Sequence, residues 1–238
     1  MAGADTRNRI LEVAFRLFHE QGYHATGVAT ILREAGVNSG SLYHFFPSKD
    51  ALLLGVLNWC VENLYPQVMT PAEARTNDPI ERIFALLALY REGMDMFQCR
   101  MGCPIGNLAL EVGDDHPEAR TLIDLNFRNW AKAVQKWLDA AGDRLPPDLD
   151  RGQLAHFILT VMEGGIMQAR AAGNLAPFDS SVSQLRAYTD RLLGDAARLK
   201  QGERSPGPKR TRPRASPSHR VAVSPSQPEP RTRTRRPT

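Results

Sequence analysis

Residues 26–52 read TGVATILREAGVNSGSLYHFFPSKDAL and contain two short helical patterns separated by a very short break. The first pattern, at about 27–35, places apolar residues on one helical face, and the Thr26 hydroxyl group is expected to cap that helix. Gly36 ends it, because glycine accepts the left-handed conformation common just past a helix terminus. The second pattern follows at about 39–45. Two helices joined by a three- or four-residue turn containing glycine predict a helix-turn-helix.

The second helix of this motif has an apolar inner side and a polar outer side. Val37, Leu42 and Phe46 are expected to anchor it in a core. The other side chains are small or polar, which suits close approach to phosphates and to base edges in a DNA major groove. The residues expected on this outer side are Asn38, Ser39, Gly40, Ser41, Tyr43 and His44.

This stretch resembles the DNA-binding domain of the TetR/AcrR family of repressors. The resemblance begins in the first helix, at Ala14, Phe18 and Gly22, and it covers residues 6–60. It implies a three-helix DNA-binding domain followed by a variable helical domain that binds a ligand and dimerises. It also implies a homodimer that binds a palindromic double-stranded DNA operator and is released by a small-molecule effector, and a repressor more readily than an activator.

The resemblance also assigns site residues. Those matching positions that usually contact phosphates are Thr26, Tyr43, His44 and Lys49, and those matching the base-reading start of the recognition helix are Asn38, Ser39, Gly40 and Ser41. Lys49 follows Ser48, the expected cap of the fourth helix, whose free amides and dipole favour a phosphate. Gly27 departs from the family, which often has threonine there. The motif also lacks an excess of basic residues, so modest intrinsic DNA affinity is expected.

The rest of the chain shows helical periodicity and no convincing strand. Asp78 and Asp150 are expected N-caps of later helices. Further helices are predicted at about 6–21, 48–65, 79–98, 104–112, 117–141, 151–172 and 181–199. We therefore predict an all-α chain with a helix-turn-helix domain at 1–47, a ligand-binding and dimerisation domain at 48–200, and a disordered tail at 201–238.

Charge is distributed unevenly along the chain. Residues 201–238 contain ten Lys or Arg and two Glu, although the net charge of all 238 residues is only +4. This basic, proline-rich tail has too little apolar surface to fold. It is interpreted either as a solubilising appendage or as an arm that adds DNA affinity through phosphate charge. With no secretory or membrane-spanning segment apparent and an odd number of cysteines, we expect a cytoplasmic protein.

Large apolar residues on the later helices are candidates for an effector cavity. They are Phe84, Tyr90, Met94, Phe97, Phe127, Trp130 and Met162, with Asn107 as a polar group and Cys103 beside it. Ligand cavities between helices are mostly apolar with a few polar groups. Taken singly, each of these residues is more readily interpreted as ordinary core. A ligand held here is expected to move the fourth helix and so change the separation of the two recognition helices.

Cys103 has two interpretations. It stands at an expected helix start, where amides and the helix dipole lower a thiol's pKa, and Arg100 is close by in sequence. The stretch Gly102 to Leu108 is similar to one in some TetR-like regulators, a few of which respond to electrophiles or oxidants. Cys103 is then a reactive sensor with Cys99 as resolving partner. Alternatively, both are small buried hydrophobes.

An enzyme is the alternative functional class. Cys103 and His116 are the only pair that resembles a nucleophile and base, and with Cys99 they also suggest a zinc site. The sequence has no Gly-x-x-x-x-Gly-Lys loop, His-Glu-x-x-His or Cys-x-x-Cys. We therefore expect no catalysis, no cofactor and no metal. A scaffold with a nonfunctional DNA-binding domain is a further alternative. DNA binding that responds to a small molecule separates the regulator from both.

Adjacent glycines at 164 and 165 interrupt an otherwise apolar helix. Each costs about 1 kcal/mol relative to alanine, so close approach of another helix is a reason to keep them. The resemblance implies that the last two helices form a four-helix bundle with a second subunit. Packing of the glycines within one subunit is the alternative.

Overall fold

The computed structural model describes residues 2–112 and 116–202, and within them it contains ten α-helices and no strand. This confirms the predicted all-α class. Residues 203–238, nearly all of the predicted tail, lie outside the described residues. The helices are α1 Ala2–Gln21, α2 Val28–Ala35, α3 Ser39–Phe45, α4 Lys49–Leu64, α5 Thr70–Arg75, α6 Pro79–Met96, α7 Pro104–Glu111, α8 Pro117–Ala140, α9 Arg151–Ala172 and α10 Ala176–Lys200. In the described part, none is long and apolar enough to cross a bilayer.

Polar side chains fix several helix starts, as predicted. The Ser48 hydroxyl oxygen accepts a hydrogen bond from the Ala51 amide at 3.0 Å, which caps α4. Asp78 and Asp150 accept amide hydrogen bonds in the same way at the starts of α6 and α9, at 2.8 and 2.9 Å. Each cap satisfies an amide that the helix leaves without an internal partner. The helices therefore begin where local sequence dictates.

The predicted cap at Thr26 is wrong. Gly27 is the N-cap residue of α2, and no side chain caps that helix. The Thr26 hydroxyl group instead donates to the carbonyl oxygens of Leu17 and Gly22, at 3.3 and 2.6 Å. Thr26 is completely buried and ties the end of α1 to the turn before α2.

Two helical regions at prolines were missed, as was a short 3₁₀-helical turn at Gly142–Arg144. Residues Tyr65–Met69 form a π-helical turn that leads from α4 into α5, although Pro66 and Pro71 predicted a break. In the wider turn, the Thr70 amide donates to the Tyr65 carbonyl oxygen, and a proline near a helix start loses no hydrogen bond. For the same reason α10 begins at Ala176, with Pro177 in its first turn, rather than near 181.

The buried apolar residues form two cores. The headpiece core joins buried residues of α1 to α4, including Leu42 and Leu52, with Leu108 of α7 and Ile123 of α8. The second core joins residues of α5, α6, α8, α9 and α10. Because α7 and α8 contribute to the headpiece core, the helix-turn-helix packs directly on the helices that follow it.

Candidate DNA-binding surface and ligand cavities

The turn between α2 and α3 has the geometry predicted for a helix-turn-helix. Gly36 adopts φ 61° and ψ 39°, and its amide donates to the Arg33 carbonyl oxygen at 3.3 Å. Asn38 then caps α3, because its side-chain oxygen accepts from the Ser41 amide at 2.8 Å. Leu42 is fully buried beneath the helix. The N-terminal half of α3 is thus held rigidly with its polar side outward.

The structure places most of the predicted DNA-contacting residues on this outer side. The exposed ones are Asn38, Ser39, Gly40, Tyr43 and His44, and Ser41 is partly exposed. Tyr43 retains 48% of its surface. An exposed α3 without bulky apolar groups on its outer side can enter a major groove.

Thr26 and Lys49 have other surroundings. Both the amide and the hydroxyl group of Thr26 donate within the chain, so neither points to solvent. The Lys49 ammonium group lies 4.3 Å from the centre of the Tyr23 ring and donates to the His24 carbonyl oxygen at 3.5 Å. Partial burial lowers the pKa of Lys49. In this structure both residues stabilise the turn before α2.

Helix α7 is joined to the headpiece at both ends. At its C-terminal end, the Glu111 carboxylate accepts from the backbone amides of Tyr23 and His24, at 2.8 and 2.6 Å. Just before its N-terminal end, the carbonyl oxygen of Gly102 lies 2.6 Å from Nε2 of His19 on α1. Burial lowers the pKa of His19, so a neutral ring that donates to this carbonyl is favoured.

A polar cluster surrounds the C-terminal contact. The Tyr23 hydroxyl group donates to Asp50 at the start of α4, and the His116 ring packs edge-on against Tyr23 at 5.5 Å. Nδ1 of His116 lies 3.7 Å from Asp50. Burial and the Asp50 hydrogen bond raise the pKa of Tyr23. Residues from α4, α7 and the start of α8 therefore meet at the turn that precedes the helix-turn-helix.

Three adjacent cavities lie in the helical domain and share Cys103 in their walls. The aromatic cavity, about 140 Å³, lies between Trp59 of α4, Tyr90 of α6, Trp130 of α8 and Met162 of α9. The α6 cavity, about 320 Å³, is bounded by residues of α1, α6 and the segment before α7. The α9 cavity, about 510 Å³, lies between α7, α8 and α9. The start of α7 is thus the point where all three meet.

Eight of the nine predicted ligand residues line these cavities. The aromatic cavity includes Tyr90, Cys103, Phe127, Trp130 and Met162. The α6 cavity adds Met94 and Phe97, and the α9 cavity adds Asn107, whose side-chain oxygen accepts from Arg170 at 2.9 Å. Phe84 is in none of these three linings. It belongs to the second core, and the Arg186 guanidinium group covers its ring at 3.3 Å from the ring centre.

Several cavity residues were missed, and Glu163 is the most informative. It lines both the aromatic and the α9 cavities, and its oxygen Oε1 is buried without a hydrogen-bond partner. Burial raises the pKa of Glu163. A glutamate in the middle of the apolar α9 was a signal in the sequence, but its orientation required the structure. The cavity residues Asn63, Gln67 and Asn126 were also missed.

The predicted lowering of the Cys103 pKa is wrong. Cys103 does cap α7, since its sulfur atom accepts from the Gly106 amide at 3.4 Å. Burial and the nearby Glu163 carboxylate nevertheless raise the pKa of the thiol well above its ordinary value. Hydrogen bonds from the amides at the start of α7 lower the pKa of the thiol, but burial has the larger effect. Burial also raises the pKa of Cys60, to about 12.

The alternative metal and catalytic sites are not assembled. In the described residues, no group of three or more His, Cys, Asp or Glu side chains is arranged to hold a metal ion. His116 lies against Tyr23 and Asp50, whereas Cys103 contacts Glu163 in the cavity wall. The histidine and the thiol therefore belong to different sites.

The adjacent glycines Gly164 and Gly165 of α9 have different surroundings. A Cβ atom on Gly165 would lie 3.0 Å from the ring of Phe178 on α10, so Gly165 allows close packing within the subunit. A Cβ atom on Gly164 would meet nothing within 4 Å. Gly164 lies between the exposed residues Phe157 and Met167, and the Phe157 ring packs edge-on against exposed Tyr188 of α10. The α9–α10 face, defined by these four residues (Phe157, Gly164, Met167 and Tyr188), is open and apolar.

Two family profiles match separate segments of the chain. The profile described as bacterial regulatory proteins, tetR family, matches residues 10–56. The profile described as tetracyclin repressor-like, C-terminal domain, matches residues 79–185. The first contains the helix-turn-helix, and the second contains most of the helices that line the cavities.

Individual proteins show the same similarity. The uncharacterized HTH-type transcriptional regulator YxaF of Bacillus subtilis (strain 168) is 35% identical over 167 residues, covering 68% of this chain and 84% of YxaF. The HTH-type transcriptional repressor DhaR of Mycobacterium sp. (strain GP1) is 29% identical, covering 75% and 89%. The crystal structure of regulatory protein TetR from Rhodobacter sphaeroides has a TM-score of 0.68 at 24% identity, covering 74% and 95%. The chain therefore belongs to the TetR family of DNA-binding transcriptional regulators.

Proposed function

We propose that this regulator is a repressor that binds a palindromic operator as a homodimer and is released by a small molecule. The observation that carries the proposal is the position of α7, which begins in the cavity walls and ends on the headpiece. The name of the relative DhaR, a transcriptional repressor, favours repression. The proposed functional division is a DNA-binding domain at 1–47 and a sensing and dimerisation domain at 48–200.

The exposed side of α3 supports its role as recognition helix. Asn38, Ser39, Gly40 and Ser41 would read bases, and Tyr43 and His44 would contact phosphates, since small and polar groups allow close approach to DNA. Thr26 and Lys49 contribute by holding the turn before α2, as their internal contacts suggest.

The α9–α10 face supports dimerisation through a second copy of the same surface. Large exposed apolar residues next to an open glycine favour close helix packing, and a twofold dimer presents two recognition helices to successive DNA turns. We expect Met167→Glu to yield monomers in a sedimentation experiment. Met96→Glu, at another exposed methionine on α6, serves as the matched control. Unchanged dimers of the Met167 variant would contradict this interface.

The contacts of α7 suggest how a ligand acts on DNA binding. A ligand that displaces Cys103 or Pro104 at one end of α7 would shift Glu111 at the other, where it holds the amides of Tyr23 and His24. Helix α4 provides a parallel route, because it packs on α8 and carries Trp59 and Cys60 in the cavity wall. Coupling of this kind is typically about 1–3 kcal/mol, or about 5- to 150-fold in operator affinity.

The test begins with selection of bound fragments from the source genome. We expect enrichment of a short imperfect palindrome. On that operator, Tyr43→Phe should weaken binding about fivefold, the loss of about one hydrogen bond. Tyr65→Phe, another exposed tyrosine, should have no effect. A folded, dimeric protein that enriches no sequence would overturn the proposal.

Sensing by Cys103 is a second candidate, favoured by the position of this thiol where the three cavities meet. The raised pKa of the thiol opposes it, because the thiolate is the reactive form. Treatment with an oxidant or electrophile, followed by operator binding, decides the matter. Release from DNA that is lost in Cys103→Ser would support sensing, and equal release of both proteins would exclude it.

A further inference from the structure

Glu163 occupies an unusual position in the wall of the aromatic cavity. Its oxygen Oε2 is directed toward Gly106, where an added Cβ atom would lie 2.5 Å away, and the Cys103 thiol lies in the same cavity wall. The other oxygen, Oε1, is buried and has no partner. A buried carboxylate oxygen without a hydrogen bond is costly, so it favours a donor that reaches it after a small side-chain rotation.

The cavity wall offers no compensating positive charge. Of its described lining residues, Glu163 is the only Asp, Glu, Lys, Arg or His. The other polar side chains in the same lining are neutral at their ordinary pKa values, namely Asn63, Gln67, Tyr90, Cys103 and Asn126. An uncompensated negative charge in an apolar cavity selects for a cation among the molecules that can enter it.

Aromatic rings complete the environment. The rings that line the cavity are those of Phe15, Trp59, Tyr90, Phe127 and Trp130. Nε1 of Trp130 donates to the Tyr90 hydroxyl oxygen at 3.1 Å, which holds these two rings in place. Aromatic faces attract organic cations through their quadrupole, and they also accommodate the hydrocarbon part of such a ligand.

We propose that the ligand of this cavity is an apolar organic cation, a protonated amine whose nitrogen pairs with Glu163 and whose hydrocarbon part packs among the aromatic rings. The proposal rests on the proposed function in taking this cavity as the effector site. It goes beyond that function in naming the ligand class and the residue that selects it.

The test compares 2-phenylethylamine with 2-phenylethanol, which have nearly the same shape and differ in charge. Binding to the full-length protein is followed by calorimetry and by tryptophan fluorescence, since Trp59 and Trp130 line the cavity. We expect the amine to bind at least about tenfold more tightly than the alcohol, because hydrogen bonds to charged groups are the stronger ones.

The substitution Glu163→Gln removes the negative charge and keeps nearly the same side-chain shape. The variant should bind the two compounds with similar affinity, and detectable binding of the alcohol shows that the cavity still folds. Glu62→Gln, the same substitution at an exposed position of α4, should retain the preference for the amine. Should the Glu163→Gln variant fail to fold, the comparison of amine and alcohol in the natural protein still decides the proposal.

The outcomes separate this proposal from the proposed function. Equal binding of amine and alcohol, no detectable amine binding, or a preference that survives Glu163→Gln would each overturn the ligand class. An amine that binds as expected but leaves operator affinity unchanged supports the cation site and contradicts its role as effector site. A neutral or anionic effector that releases DNA from both the natural protein and the Glu163→Gln variant overturns the cation proposal and supports the repressor.

Discussion

The headpiece core and the interior of the helical domain that follows it are packed differently. Ile10, Leu42 and Leu52 of the headpiece core have no exposed surface, and neighbouring helices enclose them completely. The helical domain that follows it instead contains cavities, of which the aromatic cavity measures about 140 Å³, and a buried carboxylate oxygen of Glu163 without a partner. Protein interiors are normally close-packed, so these cavities are the exception that calls for an explanation.

The difference follows from what each region has to do. Reading DNA requires that α3 is presented in one fixed orientation, which a filled core beneath Leu42 provides. In the proposed function the following helices bind a ligand, which requires space and unsatisfied groups that reduce stability until the ligand arrives. Four predictions test this comparison.

The largest effect is expected in the headpiece core. Leu52→Ala should lower the free energy of unfolding by about 3–5 kcal/mol, because it opens a cavity in a filled core. Leu159→Ala, which enlarges an existing cavity at the wall, should cost about 2 kcal/mol. Urea unfolding of both variants measures the contrast. Equal losses would mean that the two interiors are packed alike.

The next effect concerns the connection between the two regions. Glu111→Ala removes the acceptor of the Tyr23 and His24 amides and should cost about 1–3 kcal/mol of stability. It should also reduce the ligand's effect on operator affinity, while ligand binding itself is unchanged. Glu118→Ala, an exposed glutamate on α8, is the control. Ligand coupling that survives in the Glu111 variant would leave α4 as the transmitting helix.

The third effect depends on pH. Folding raises the pKa of Glu163 from an ordinary value of 4.5. The stability that this shift contributes is therefore fully present below pH 4.5, and it is lost as the pH rises through the pKa of Glu163 in the folded protein. Glu163→Gln should therefore be more stable than the natural protein at neutral pH, by about 1–2 kcal/mol. The gain should disappear below about pH 4.5, near the ordinary pKa of a glutamate. Thermal unfolding of both proteins from acid to neutral pH measures this gain in stability. A gain that is the same at every pH would contradict burial of the charge.

The smallest effect distinguishes the two glycines. Gly165→Ala should cost about 1 kcal/mol at every protein concentration, because the new methyl group is crowded by the buried Phe178 ring. Gly164→Ala should cost a similar amount only through weaker dimerisation, so its effect should be largest at high protein concentration and disappear on dilution to the monomer. A Gly164 variant that is stabilised at all concentrations would show that no partner helix packs there.

The helix-turn-helix was predictable from sequence because its determinants are local. The glycine at position 36, the caps at Ser48 and Asp78, and the periodic apolar residues act over a few residues. The helical turn at Tyr65–Met69 was not predictable in this way, because Pro66 and Pro71 indicated that the helix ends there. The structure shows that the chain stays helical, with Met69 packed in the second core.

The sequence by itself determined the all-α class, the position of the recognition helix and eight of the residues that line the cavities, because apolar periodicity and helix capping depend on residues that are close together in the chain. Only the tertiary structure decided that Thr26 is buried, that the thiol of Cys103 has a raised pKa and that an oxygen of Glu163 has no partner. These properties depend on which groups from distant helices surround a side chain. Burial and electrostatic interactions between helices are set by the fold, and no local pattern specifies them.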